Sequence, residues 1–230
     1  MIIHGPSIGI GSVVTIVTIL IILIMVNGDL KIDSNVLIEE EFIPKQTSNI
    51  FFDNASPFLG NQNAPITLIE FGDYQCYFCN QHFHNTEHEL IEKYVETGKI
   101  RVLFKDFIII GPDSKIAALS AHCAGEQGKF WEYHDILFNN WSGENNGWAS
   151  IENLFKFSVE LDLDMKEMRE CIEEKRHIAK INASNRDAEN LGLTGTPAFF
   201  VIDQDNNVIK ISGAQPFDVF QRVFNEINNE

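Results

Sequence analysis

Two cysteines separated by two residues, Cys76-Tyr77-Phe78-Cys79, are the residues of this 230-residue chain best suited to chemistry. A dithiol at that spacing exchanges disulfides when one sulfur is held as thiolate, the nucleophilic form. The surrounding sequence supplies the condition. Ile66 to Phe71 is an apolar run that reads as a buried strand, and Gly72-Asp73 reads as a turn. From Cys76 to about Thr97 the pattern is helical, with Phe83, Leu90, Ile91, Tyr94 and Val95 on one stripe and Gly98 as the stop. The pair therefore opens a helix, where unpaired backbone N–H groups and the helix dipole stabilise an anion. Cys76 is expected to attack and Cys79, one turn on, to resolve the mixed disulfide.

His82, His84 and His88 follow closely, so a zinc site and plain buried cysteines are the competing readings. All five candidate ligands fall on one expected helix, which cannot wrap four of them around an ion. No metal and no cofactor are expected, and the histidines read as an exposed helix surface that faces a substrate.

The elements that must hold the dithiol follow in order. A second β-rich run, Ile100 to Ile110, completes a βαβ unit with parallel strands. Gly111-Pro112-Asp113 ends it, and Asp113 or Ser114 caps the next helix. Ser114 to about Leu191 carries no strand signal. A loop over Ser142 to Gly147 interrupts it, and helices are expected near Ser150–Leu161, Met165–Ile181 and Ser184–Asn190. Gly195-Thr196-Pro197 then precedes a strand, Ala198 to Ile202. A polar turn, Asp203 to Asn207, leads to a return strand, Val208 to Ile211. Pro216 to Ile227 reads as a closing amphipathic helix. The pattern is an α/β domain over residues 57–230 with a helical subdomain inserted at about 113–191.

A net charge of −16 with no basic patch argues against nucleic acid as a partner. Ile8 to Val26 is nineteen uncharged, strongly apolar residues, long enough to span a membrane. Residues 1–28 read as a transmembrane anchor or a signal segment. The length of the run and the absence of Lys or Arg before it favour the anchor. Either places the domain outside the cytoplasm: on a single-pass membrane protein, or secreted after cleavage. Residues 29–56 are polar and acidic and read as a linker, with a short strand near Asn49–Asp53.

From Pro57 onward the chain resembles the DsbA-like branch of the thioredoxin superfamily, extracytoplasmic thiol–disulfide oxidoreductases. The resemblance is carried by three motifs in order: Ile69-Glu70-Phe71 before the Cys-x-x-Cys, Glu126-Gln127-Gly128-Lys129-Phe130-Trp131 within the helical insert, and Gly195-Thr196-Pro197 before a strand. It implies a thioredoxin-like fold with an inserted helical subdomain, here preceded by the N-terminal membrane helix. It implies a cis Thr196–Pro197 bond that offers the Thr196 backbone to an extended substrate. It also implies a proton-transfer role for Glu70 toward Cys79, with Lys105 as its charge partner. The alternative for Glu70 is a strand-edge carboxylate facing water. The expected partners are thiol- or disulfide-containing proteins and a membrane redox partner that recycles the dithiol. Tyr77-Phe78 departs from the Pro and His often found between such cysteines. These aromatics supply an apolar surface for unfolded substrates, but no imidazole donor to the thiolate, which counts against a strongly oxidising potential. Cys123 and Cys171 fall on expected helices of the insert. A structural disulfide is one reading, and two buried thiols are the other.

Overall fold

The computed structural model describes residues 38–40 and 48–228. Its strands are β1 (Ile38–Glu40), β2 (Ile66–Gly72), β3 (Ile100–Asp106), β4 (Ala198–Ile202) and β5 (Val208–Ser212). Its helices are α1 (Ser48–Phe52), α2 (residues 77–95, with π-type turns at Phe83–Glu87 and Ile91–Val95), α3 (Pro112–Glu126), α4 (Phe130–Asn139), α5 (Ile151–Glu160), α6 (Met165–Glu173), α7 (Ile178–Asn190) and α8 (Phe217–Asn228). The sheet runs β1-β5-β4-β2-β3, with β2 and β3 parallel and the other pairs antiparallel. The chain thus has the thioredoxin-like α/β architecture, with helices α3 to α7 inserted between β3 and β4.

β2 is buried at all seven positions, as an apolar run in a covered central strand should be. Leu68 belongs to one core with Tyr94 of α2 and Phe220, Val223 and Phe224 of α8. Ile69 and Phe71 belong to another, with Phe200 of β4, Phe51 of α1 and Ala188 of α7. Each such side chain contributes about 1.5–3 kcal/mol by leaving water. The third core lies in the insert and reaches the dithiol, joining Tyr74, Cys79 and Phe104 to residues of α3 to α6.

Several boundaries differ from the sequence expectation. Residues 48–52 are helix, not strand; Phe51 packs its ring 4.9 Å from that of Phe200, and Asn54 at φ 61° follows in the turn. A five-residue apolar run carries no period long enough to separate the two states. Within the segment read as linker, Ile38–Glu40 pairs with β5. β3 stops at Asp106 rather than Ile110, because the N–H groups of Ile109 and Ile110 donate to the buried carboxylate of Asp73 instead of a neighbouring strand. The helix expected from Met165 to Ile181 is two, divided at Lys175 with φ 55°, and the second runs on through Ser184 to Asn190. No helix among the described residues is long and apolar enough to cross a membrane. The apolar run Ile8–Val26 lies outside the described residues.

Candidate active site at the Cys76–Cys79 dithiol

Cys76 is the N-cap of α2, and Cys79 lies in its first turn. Six hydrogen bonds fix the loop that presents them. The Asp73 carboxylate accepts the N–H of Gln75 at 2.9 Å, an Asx-type turn, along with those of Ile109 and Ile110. The Cys76 N–H donates to the Asp73 carbonyl at 3.0 Å. Trp141 Nε1 donates to the Gln75 carbonyl at 2.8 Å, and Asn145 N–H to Gln75 Oε1 at 2.7 Å, so a loop of the insert clasps the turn. Burial raises the Asp73 carboxyl, against the pull of these hydrogen bonds. Gly72 is required here: a Cβ would stand 2.5 Å from the Phe104 ring and 3.2 Å from Glu70 Oε1.

The two sulfurs are pushed apart in acidity. Cys76 falls from the ordinary thiol value of 9.0 to about 6. The Cys79 thiol contributes most by donating to its sulfur, burial opposes, and the Thr196 side chain and the amides of Cys79 and Phe78 add to the lowering. The helix-terminal amides foreseen in the sequence therefore act, but behind the neighbouring thiol. Cys79 is fully buried and raised well above an ordinary thiol, by burial first and then by Cys76 and the charge of Glu70. This is the division that attacking and resolving sulfurs require.

Thr196–Pro197 is cis, and the Cys76 Sγ–H donates to the Thr196 carbonyl at 3.4 Å. Both cis-loop residues and both cysteines are thus brought together. Tyr77 and Phe78 stand beside them, 46% and 58% exposed, with Trp141 5.9 Å from the Tyr77 ring. The Tyr77 N–H donates to Glu144 Oε1 at 3.0 Å.

Glu70 is buried beneath the dithiol rather than facing water, with His82 Nε2 3.9 Å from its carboxylate. Burial, then the charges of Glu87 and Cys76, raise it well above the carboxylate range. Two expectations are corrected. Lys105 is not the partner of Glu70. β2 pairs with β3 so that Phe71 opposes Lys105, and alternation puts Lys105 on the other side of the sheet from Glu70. There Lys105 binds Asp187 at 2.8 Å and the carbonyls of Ile50 and Asp53. His82 is not exposed; it is 2% accessible, and burial lowers it to about 4, although His84 and His88 do face solvent. Cys123 and Cys171 are joined by a disulfide with Cα atoms 5.9 Å apart, tying α3 to α6 away from the dithiol. Sequence reasoning missed Glu87, His134 and Tyr74, a buried polar chain next to Glu70. The one sequence signal is Glu87 and His134 falling on apolar helix stripes; Tyr74 lies in the loop before α2 and gives none.

A buried strand that leads into a helix-capping dithiol, a cis-proline loop against the attacking sulfur, and a helical insert over the sheet define a thioredoxin-like dithiol protein of the DsbA type. The chain belongs to the thioredoxin family whose model matches residues 53–223. It is similar in structure to Wolbachia pipientis α-DsbA1, with 27% identity, a TM-score of 0.67, and 74% of this chain and 89% of that chain covered. It shares its fold with oxidised BdbD of Bacillus subtilis, at 19% identity and a TM-score of 0.69, over 76% and 94% of the two chains. In sequence it is 25% identical over 158 residues to a probable disulfide bond formation protein D of Bacillus cereus, covering 67% of this chain and 73% of that one. It is also 31% identical over 144 residues to part of a Na(+)/H(+) antiporter NhaA 1 of Salinispora arenicola, covering 62% of this chain. The chain spans about a fifth of the length of that antiporter, 21%.

Proposed function

We propose that this protein is a thiol–disulfide oxidoreductase, anchored through residues 8–26 with its dithiol domain outside the cytoplasm. It forms or exchanges disulfides in secreted or surface proteins. The single observation that carries this reading is the split between a Cys76 lowered to about 6 and a buried, raised Cys79, with the attacking sulfur against the Thr196 carbonyl. The Cys76 thiolate attacks a substrate disulfide; a Cys76–substrate disulfide forms and the other substrate sulfur leaves as thiolate. Cys79 then gives its proton to the Glu70 carboxylate and attacks the Cys76 sulfur. The Cys76–Cys79 bond forms, the second substrate thiolate departs, and the dithiol has been oxidised by two electrons. Run in reverse, the same steps oxidise a substrate dithiol, and a membrane redox partner restores the enzyme disulfide.

Tyr77, Phe78 and the Thr196 backbone bind the substrate, as an apolar platform and an edge to which an extended chain pairs. A thiolate stabilised in the reduced form favours the oxidising direction over a reductase or isomerase. The test is the Cys76–Cys79 redox potential, measured with oxidative refolding of a reduced protein and insulin reduction. A value near −120 mV supports the oxidase, and one near −270 mV the reductase. A full chain inert in both assays, and indistinguishable from C76S, overturns the proposal. E70Q is expected to slow resolution or change its pH dependence, and an unchanged profile removes Glu70 from the mechanism.

A further inference from the structure

Behind the dithiol, the structure buries two carboxylates and two imidazoles together. One functional atom each of Glu70, His82 and Glu87 lies within 4.8 Å of the others. His134 Nε2 is 3.5 Å from Glu87 Oε1, and its Nδ1 is 3.1 Å from the Tyr74 hydroxyl. All five side chains are buried. Among the described residues neither carboxylate has a Lys or Arg ion-pair partner, and His82 Nδ1, Glu87 Oε2 and His134 Nε2 have no hydrogen-bond partner.

Two carboxylates this close, away from water, do not both ionise readily; the pair shares a proton, and the surroundings decide which oxygen carries it. His134 packs against Glu87, not Glu70. We propose that Glu87, paired with His134, is a positioning residue that keeps the shared proton on Glu70 beneath Cys79. The inference rests on the role given to Glu70 above. The directions of acidity agree. Burial raises both carboxyls, but at Glu87 the attraction of His134, with smaller pulls from His82 and His88, outweighs it, and Glu87 ends below its ordinary value. Glu70 is left well above.

The groups facing this pair come from three elements. Tyr74 and Cys76 lie in the loop after β2. Cys79, His82, Glu87 and His88 belong to α2. His134 and Asp135 belong to α4. Raising Glu70 brings its basicity closer to that of Cys79, which makes proton transfer between them less uphill. The Cys76 charge also raises Glu70, so capturing a substrate sulfur removes that charge. Glu70 then tends to lose its proton, which the departing substrate thiolate takes up, and stands as the carboxylate when Cys79 must give one up.

The test is an infrared titration of the protonated-carboxyl stretch on the reduced full chain, with E70Q assigning the band. At an effective dielectric of about 20, a unit charge at that separation shifts a pKa by about 2.5 units. E87Q is therefore expected to move the Glu70 midpoint down by about 2.5 pH units. H134Q is expected to add a second protonated-carboxyl signal, because Glu87 then loses the imidazole packed against it. An unmoved Glu70 midpoint in E87Q, or no second signal in H134Q, overturns the inference; if one variant fails to fold, the other reads the same link. Mixed-disulfide resolution is followed on the same samples. A wild type that never resolves while E87Q shifts the band sinks the oxidoreductase reading and supports the charge chain. A wild type that resolves with the band unmoved sinks the chain alone.

Discussion

Removing the Cys79 sulfur should make Cys76 a weaker acid, and the size of the change tests how the attacking thiolate is held. With Cys76 at about 6, roughly nine in ten of its sulfurs are ionised at pH 7, against about one in a hundred for an ordinary thiol. The Cys79 thiol is the largest contributor to that lowering. A hydrogen bond to a charged group is worth about 1.5–3 kcal/mol, or about 1–2 pKa units. C79A should thus raise the Cys76 midpoint to between about 7 and 8, and reduce the ionised fraction at pH 7 to roughly a tenth to a half. C79S keeps an O–H donor at the same place and should stay near the wild-type value. The assay is the pH dependence of iodoacetamide alkylation on the reduced full chain, with mass spectrometry locating the label. Wild type should label at Cys76, since Cys79 is fully buried and raised. Coincident midpoints for C79A and C79S, or equal labelling of both cysteines in the wild type, would mean that the Cys79 thiol does not hold the Cys76 thiolate.

K105M should cost about 3 kcal/mol in chemical denaturation, because it leaves Asp187 and two carbonyls without their buried cation. The Cys76 alkylation profile should not move, and a shifted midpoint would return Lys105 to the site. Replacing both Cys123 and Cys171 by alanine opens a 48-residue loop and should cost up to about 4 kcal/mol. Y77S/F78S should slow exchange with an unfolded protein while leaving exchange with glutathione intact; parallel losses with both would deny the aromatics a substrate role. Reduced-state stability should depend on pH with a definite sign. Folding lowers Cys76, so its contribution is full above the ordinary thiol value of 9.0, and is lost as pH falls through about 6. The melting temperature of the reduced chain, relative to C76S, should therefore rise across that window, and a flat difference would contradict the lowered value.

The dithiol, its strand and its helix were legible because each is a local pattern, an apolar run and two sulfurs at helix-opening spacing; the cis bond at Thr196–Pro197 came only from the family resemblance that Gly-Thr-Pro helps to carry. What depended on strand pairing was not legible. Lys105 and Glu70 are both charges in apolar strands, and nothing in either strand alone says which face each occupies. The β2–β3 register decides it, setting Phe71 opposite Lys105. Asp73 reads as one more turn residue until Ile109 and Ile110, thirty-six and thirty-seven positions later, are seen to donate to it. The helix break at Lys175 was hidden for another reason: no glycine or proline marks it, and a lysine takes the left-handed conformation itself.

The side assigned to each charge separates chemistry from support. On one side of β2, Glu70 meets His82 and Glu87, and its charge reaches both sulfurs. On the other, Lys105 draws together β3, α7 and the chain around α1 with its one ammonium. A buried cation next to Glu70 would have stabilised its carboxylate and lowered its pKa, leaving a poor base for a raised Cys79. Placing the cation across the sheet leaves Glu70 to Glu87, a neighbour of the same sign, and the carboxyl stays raised, as the proposed proton exchange with Cys79 requires. The alternation of one strand thus keeps the Lys105 cation from quenching the acid–base pair proposed under the dithiol.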